Sequence, residues 1–447
     1  MMPIAVHFIE LCYILMVVIF TIIYHRKGLP LIEGLFLLLI ICSPYSISII
    51  PFRQDSYELY GLYSNTNILN VLNFYKFFGL SVLDLYAIVI IIKNFKSAIN
   101  IPQFFRIFYF SIVVVSIISY TLSSLLMWSS ELDSVSRALS VMKSIVYIFS
   151  IYCVIERSCR CMGLSAFFMM LANIILIYCV MNAILLSFLP PWYTWVKYSF
   201  NYLFLDQTDQ FIVFLYCTLA LWGLKNNKRR YKLYALLLVM MLAISGGKGG
   251  IYSLLILGFS WLYQKMQTSS ANLGALFICI MVISWILSYA IGLYELDVSI
   301  YTRYFQVKQL FINYENNLLL MIFGLGPSKA YLFYSQPAIF DPGAYTTEEL
   351  SSNFKLAFQM PYLSWLKNFG LFGVCLLFVA LNYVVKSAGC IRRTAMFSPA
   401  IVYSLGLYFV LVGFMDFPSF GLKTVIPISL YIYLIKCNMA SNKTRPQ

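Results

Sequence analysis

Charge is scarce in this sequence: of 447 residues, 11% are Asp, Glu, Lys or Arg, against about 25% in soluble domains. Histidine occurs only twice, and no Cys/His spacing of a zinc site is present. Most of the 11 cysteines, Cys12, Cys42, Cys179, Cys217, Cys279 and Cys375 among them, sit in apolar runs, so there is no disulfide framework. Cys159 and Cys161 form a C-x-C in a short basic loop and read as two reduced thiols. What fills the chain is apolar: 61% of residues are hydrophobic and the mean hydropathy is +0.82, where soluble domains hold about 45–50% apolar residues. A water-soluble fold has no means of hiding that much apolar surface. The expected class is an all-α polytopic membrane protein with the bilayer as its solvent.

Lys and Arg number 31 against 17 acids, a net charge of +14. In a soluble protein that excess suggests nucleic acid; here it is a topology signal, and no nucleic-acid partner is expected. Apolar runs long enough to cross the hydrocarbon, or nearly so, fall at about 4–24, 29–50, 67–92, 104–127, 138–155, 164–189, 208–224, 233–246, 250–264, 271–294, 361–385, 399–415 and 424–435, which predicts about twelve or thirteen spans. No basic residue precedes the first run, so it reads as a span and not as a cleaved signal. Short connections carry Arg26 and Lys27, Lys93 to Arg106, Arg157 and Arg160, Lys225 to Lys232, Lys386 to Arg393, and Lys436 to Arg445. The positive-inside rule puts this set, and with it the C-terminus, in the cytoplasm. The N-terminus is external only if the turn at 245–250 separates two passes. Residues 1–294 then form an N-terminal helix bundle, 295–360 one large external loop with short helices, and 361–447 the last spans and a short tail. Transporters usually keep both sides short and hold their site along the bundle. One long external loop points to a site at the membrane–water boundary.

Three stretches have the residues for chemistry. SGGKGG at 245–250 interrupts an apolar run at the external face. Its glycines expose successive N–H groups, the following helix offers its N-terminus, and Lys248 adds a full charge, a seat for phosphate. It is not a Walker A loop, since no Ser or Thr follows the Lys; a tight turn with a snorkelling Lys explains the same residues. The second stretch opens the long loop with Tyr301, Arg303, Tyr304 and Lys308. As a helix it puts Tyr304, Val307, Phe311 and Tyr314 on one face, suited to the interface. Arg303 and Lys308, five residues apart, would stand about 140° round such a helix and not grip one group together. Arg303 has the planar fork that suits diphosphate oxygens, while an interfacial anchor is the plainer reading. The third runs from FGLGP at 323–327 to Gln359. Its aromatic residues with Lys329, Asn353 and the carboxylates Asp341, Glu348 and Glu349 are what a sugar site uses, and any of the three acids is a candidate general base. A solvated loop with ordinary turn residues would look similar. Within the spans, Glu10, Glu33, Lys76, Asp84 and Lys143 are costly in hydrocarbon and are expected in ion pairs or facing a polar cavity.

These features together resemble the Wzy-type O-antigen polymerases of Gram-negative inner membranes. The resemblance rests on the architecture, on SGGKGG, Arg303 and FGLGP, and on PYLSWLKNFGLFG at 361–373 where a span begins. O-antigen ligases share the layout, but those resembled carry a histidine in the large loop, whereas here the histidines are His7 and His25. The resemblance implies a periplasmic glycosyltransferase that joins oligosaccharide repeat units carried on undecaprenyl diphosphate, embedded among membrane lipid, with a chain-length regulator and a flippase as expected partners. It implies Arg303 and Lys248 at the diphosphate, Lys308 or Lys329 assisting, Tyr301, Tyr304 and Asn353 near the sugars, and one of Asp341, Glu348 or Glu349 as base. Neither metal nor cofactor is called for. A lipid-linked oligosaccharide flippase, an O-antigen ligase and a capsule polymerase are the alternatives.

Overall fold

The computed structural model describes residues 2–42, 76–77, 80–126, 140–187, 196–197, 200–201, 256–258, 260, 298–315, 317–327, 329–334, 347–355, 361–391, 399–411 and 424–443. The expected spans at 208–224, 233–246 and 271–294, and nearly all of 250–264, lie outside these residues. In chain order the described elements are α1 (Met2–His25), α2 (Leu31–Ile41), β1 (Lys76–Phe77), β2 (Leu80–Ser81), α3 (Val82–Lys93), α4 (Phe95–Ile99), α5 (Gln103–Leu125), α6 (Ser140–Met162), α7 (Leu164–Ser187), β3 (Val196–Lys197) and β4 (Phe200–Asn201). They continue with α8 (Val298–Glu315), α9 (Leu318–Phe323), β5 (Tyr331–Leu332), α10 (Thr347–Ser352), β6 (Phe354–Lys355), α11 (Pro361–Ile391), α12 (Pro399–Leu411) and α13 (Val425–Lys443). The strands form three two-stranded antiparallel pairs: β1 with β2, β3 with β4, and β5 with β6.

The chain is a predominantly helical membrane protein. Among the described residues, three helices are long and apolar enough to cross a membrane, within Gln103–Leu125, Leu164–Met181 and Ser364–Ser387. Shorter apolar helical stretches cover Leu11–His25, Leu31–Ile41, Ile401–Val410 and Val425–Met439. Helix α1 illustrates the solvent. Tyr13, Met16, Val17, Phe20 and Tyr24 recur at helical spacing on its buried face, yet Leu11, Leu15, Val18, Ile19 and Ile22 on the other face are exposed and equally apolar.

Helix α6 is the hub, packed against α2, α3, α4, α5, α7 and α13. Its consecutive residues Ser150 to Glu156 are all buried, as expected of a helix surrounded by others. A second seam is aromatic. The Phe104 ring of α5 stacks on Tyr383 of α11 at 3.6 Å between centroids. Phe105 meets Tyr383, Phe409 and Tyr431 edge-on, which joins α5, α11, α12 and α13.

The acids inside the helices pair. Glu33 of α2 accepts from Lys93 Nζ at 3.2 Å and Asn94 Nδ2 at 3.1 Å. Asp84 of α3 accepts from Lys143 Nζ at 2.6 Å and Tyr147 Oη at 2.8 Å, both on α6. Glu156 of α6 binds Arg160 and, at 2.7 Å, Lys436 of α13. Each acid therefore ties one helix to the next, the structural alternative offered by the sequence for Glu33, Asp84 and Lys143. The side chains of Glu10 and Lys76 lie outside the described residues.

One boundary differs from expectation. The apolar run at 67–92 reads as a single span, but its described part holds the paired strands β1 and β2 and a helix that starts at Val82. Ser81 and Asp84 close a reciprocal capping box there, Ser81 N donating to Asp84 Oδ2 at 2.8 Å and Asp84 N to Ser81 Oγ at 3.1 Å.

Candidate functional site

Helix α8 carries the first group of candidate residues. Thr302, Phe305, Gln306, Gln309, Leu310, Asn313 and Tyr314 are buried at spacings of three and four, so the helix is amphipathic. The buried face is turned away from Tyr304 and Phe311, which the sequence suits to the membrane interface. Tyr304 and Phe311 are exposed with Lys308 and Glu315, Val307 is half-buried, and Tyr314 points inward. Buried amides explain the rotation. Asn313 donates from Nδ2 to the Leu332 carbonyl at 2.7 Å and accepts from Leu332 N at 3.2 Å, while Gln309 Oε1 accepts from Tyr334 N at 2.8 Å. These side chains serve as a partner strand for residues 331–334, so the polar side of α8 is the side that must be covered. Asn313→Ala is expected to leave both Leu332 groups unpaired and to destabilise the fold by about 1–3 kcal/mol. Thermal unfolding in detergent checks this, and an unchanged midpoint would refute the assignment.

The opposite edge of 331–334 pairs with β6, Tyr331 facing Lys355 and Leu332 facing Phe354. Asn353, exposed and at φ 58°, makes the turn into β6, and its carbonyl accepts from Phe333 N at 3.0 Å. Phe333 packs with Phe305 of α8 and Leu350 of α10. Glu349 is held by Lys355 at 3.2 Å in an almost fully buried ion pair, a partnership the sequence gave no sign of.

Below this unit lies the junction that organises the region. The turn FGLGP at 323–327 crosses the first part of α11 where that helix breaks at Gly370 (φ 58°, ψ −151°). Leu325 N donates to the Lys367 carbonyl at 2.6 Å and Gly326 N to the Asn368 carbonyl at 3.1 Å, taking up carbonyls just before the break. Tyr314 Oη of α8 donates to the neighbouring Leu366 carbonyl at 2.7 Å, and burial pushes the Tyr314 hydroxyl pKa upward, so it stays a donor. On the other flank the hydroxyls of Ser119 and Ser123 in α5 lie 2.5 Å from the Phe323 and Leu325 carbonyls. Glycines permit this approach. A Cβ on Gly324 would stand 2.4 Å from Phe369 N, one on Gly326 2.9 Å from Tyr120 N, and one on Gly370 2.5 Å from the Met321 carbonyl.

Two buried lysines flank the turn. Lys329 places Nζ over the Tyr120 ring, 4.8 Å from its centroid. Lys367 donates from Nζ to the Lys329 carbonyl at 2.7 Å. The motifs at 323–327 and 361–373, 38 residues apart between Lys329 and Lys367, thus form one interlocked unit. Sequence reading did not find Lys367, Asn368, Tyr120 or the α5 serines. The one legible trace was the spacing of Ser116, Ser119 and Ser123, small polar residues on one face of a span.

The remaining candidates divide. Tyr301 and Arg303 are half-buried on α8; Arg303 Nε is buried with no hydrogen-bond partner. Lys308 is exposed, Lys329 buried. Glu348 lies on α10, its side chain outside the described residues, as are Lys248 and Asp341 entirely. Among the described residues no three His, Cys, Asp or Glu side chains converge as a metal site requires.

The chain matches no protein family and no curated protein.

Proposed function

We propose that the protein is an O-antigen polymerase of the Wzy type, a multi-pass glycosyltransferase of the bacterial inner membrane. It lengthens a glycan carried on undecaprenyl diphosphate. The hydroxyl of an acceptor repeat unit attacks the anomeric carbon of the donor glycan. The bond from that carbon to the diphosphate oxygen breaks, lipid diphosphate leaves with the bonding electron pair, and a carboxylate takes the hydroxyl proton. The observation that carries this reading is Arg303: a guanidinium whose Nε–H is buried without a protein acceptor. An orphan buried donor is costly, and a ligand oxygen is what satisfies it. A guanidinium fork suits the diphosphate whose charge grows as the bond breaks. With Glu349 bound to Lys355, the base in this scheme is Asp341 or Glu348. Lys248 is the second cation, with Lys308 or Lys329 assisting and Tyr301, Tyr304 and Asn353 lining the sugars.

A periplasmic position for residues 295–360 is part of the proposal, and the arrangement of charges supports it. Gly28, next to Lys27, lies against Cys161 and Met162, Lys93 joins Glu33, and Lys436 joins Glu156 one turn from Arg160. These are members of the basic set, gathered at one end of the bundle. Along α5, Ser123 lies 17 residues beyond Arg106 of that set, about 25 Å at 1.5 Å per residue, so the glycine junction belongs to the other end.

Deletion of the gene should leave lipopolysaccharide with core plus one repeat unit. Core alone would indicate a ligase or a flippase instead. Complementation with Arg303→Ala, at normal membrane abundance, should retain the single-repeat pattern, with polymerisation reduced roughly 100-fold or more. Arg303→Lys keeps the charge, loses the fork and should rescue poorly. Full-length ladders from Arg303→Ala would remove this residue from the chemistry.

A further inference from the structure

The sequence reading makes residues 295–360 one large external loop, with no part of it within the bilayer core. Helix α9, however, has the composition of a membrane segment: Leu318 to Phe323 reads LLLMIF, and Leu318, Leu319 and Ile322 are 65%, 48% and 41% exposed. Its neighbours are spans. It packs against α5 and α11, and the turn that follows it docks at Ser119 and Ser123, inside the apolar stretch Gln103–Leu125. On α11 it meets Asn368 to Gly370, inside the apolar stretch Ser364–Ser387. The two spans that α9 packs against also expose large apolar side chains, Ile117, Ile118 and Leu125 on α5 and Leu371, Phe372 and Phe378 on α11.

The backbone of the turn obeys the membrane rule. Irregular structure at membrane depth persists only where its polar groups are satisfied by protein. Here the carbonyls of Phe323 and Leu325 meet serine hydroxyls, and the N–H groups of Leu325 and Gly326 meet α11 carbonyls. Gly324 N closes on the Leu320 carbonyl at 2.7 Å. A loop facing water has no need of such complete pairing with two spans.

We infer that α9 and the FGLGP turn form a re-entrant element, and that Leu318, Leu319 and Ile322 lie against lipid acyl chains. The inference rests on the helical membrane fold and not on the polymerase reading. The occupant is the acyl region of the bilayer, because the exposed apolar residues of α9 sit on a helix packed against two spans that already require it.

The test uses the full chain in nanodiscs. A photoreactive benzoylphenylalanine is placed at Leu319, at Ile322, at Phe378 as a lipid-facing reference and at Asn353 as a polar exposed reference. All four side chains are exposed, and monodispersity on gel filtration confirms folding. Lipid adducts are counted by intact mass after irradiation. Yields at 319 and 322 within threefold of that at 378 are expected. Any lower yield at both positions, or crosslinks to a second protein chain in place of lipid, overturns the inference. Failure of Arg303→Ala to stop polymerisation would leave this result untouched, so the two claims fail separately.

Discussion

Gly370→Ala is expected to be, with Gly324→Ala, among the most damaging single-methyl changes in the described part of the chain. Gly370 sits at φ 58° and ψ −151°, a conformation open in practice only to glycine and costing about 1–3 kcal/mol for other residues. An added Cβ would stand 2.5 Å from the Met321 carbonyl and 2.6 Å from both Gly324 N and the Ile322 carbonyl. All three are backbone atoms, two of them in a helix, so no rotamer change relieves the clash; overpacking of this kind adds roughly 1–3 kcal/mol. The sum is a large part of the whole stability of a typical domain, about 5–15 kcal/mol. Gly163→Ala provides the control, because its φ is 83° but nothing lies within 4 Å of the new carbon. That variant should lose only the left-handed penalty, about 1–2 kcal/mol. Thermal midpoints in detergent compare the two directly. If both fall equally, the close packing at 370 contributes nothing. Under the proposed function, Gly370→Ala should also abolish polymerisation in cells, which the lipopolysaccharide ladder reads.

Asp84→Ala is the second. The carboxylate is buried and accepts three hydrogen bonds at once, from Ser81 N, Lys143 and Tyr147, while the residue's backbone N–H donates to Ser81 Oγ. Its removal strands Lys143 in an apolar bundle, and breaking one side of such a pair typically costs about 3–5 kcal/mol. The revealing variant is the double one. Lys143→Met in the Asp84→Ala background removes the stranded charge and should recover a substantial part of the loss, while Lys143→Met alone should be strongly destabilising. Additive effects in this cycle would mean that the two residues do not act as a pair.

The class of fold was legible because it rests on composition, and the number of apolar residues leaves one solvent. Span ends were less legible. The start of α3 was missed although Ser81 and Asp84 spell a capping signal, because the apolar run continues straight through it. On α8 the helical period was legible but the buried side was not: Gln309 and Asn313 are buried as substitutes for strand backbone, a role that hydrophobicity alone does not register. The motifs at 323–327 and 361–373 stood out as patterns, yet their interlocking was invisible, since glycine–carbonyl contacts leave no periodic trace. Contact with α5 was further out of reach, as Ser119 and Phe323 are 204 residues apart. Glu349, read as a candidate base, turned out to have a lysine six residues away, across a turn that only Asn353 with its positive φ makes possible.

That last separation has a temporal side. Ribosomes add about 5–20 residues per second, so roughly 10–40 s pass between synthesis of Ser119 and arrival of Phe323, its partner 204 residues on. Helix α5 must be inserted and held long before the turn that completes its flank exists. The spans thus assemble first and the glycine crossing clicks in afterwards, which separates two kinds of defect: lesions at 324, 326 or 370 should yield protein that is threaded through the bilayer in normal amounts yet never closes this junction.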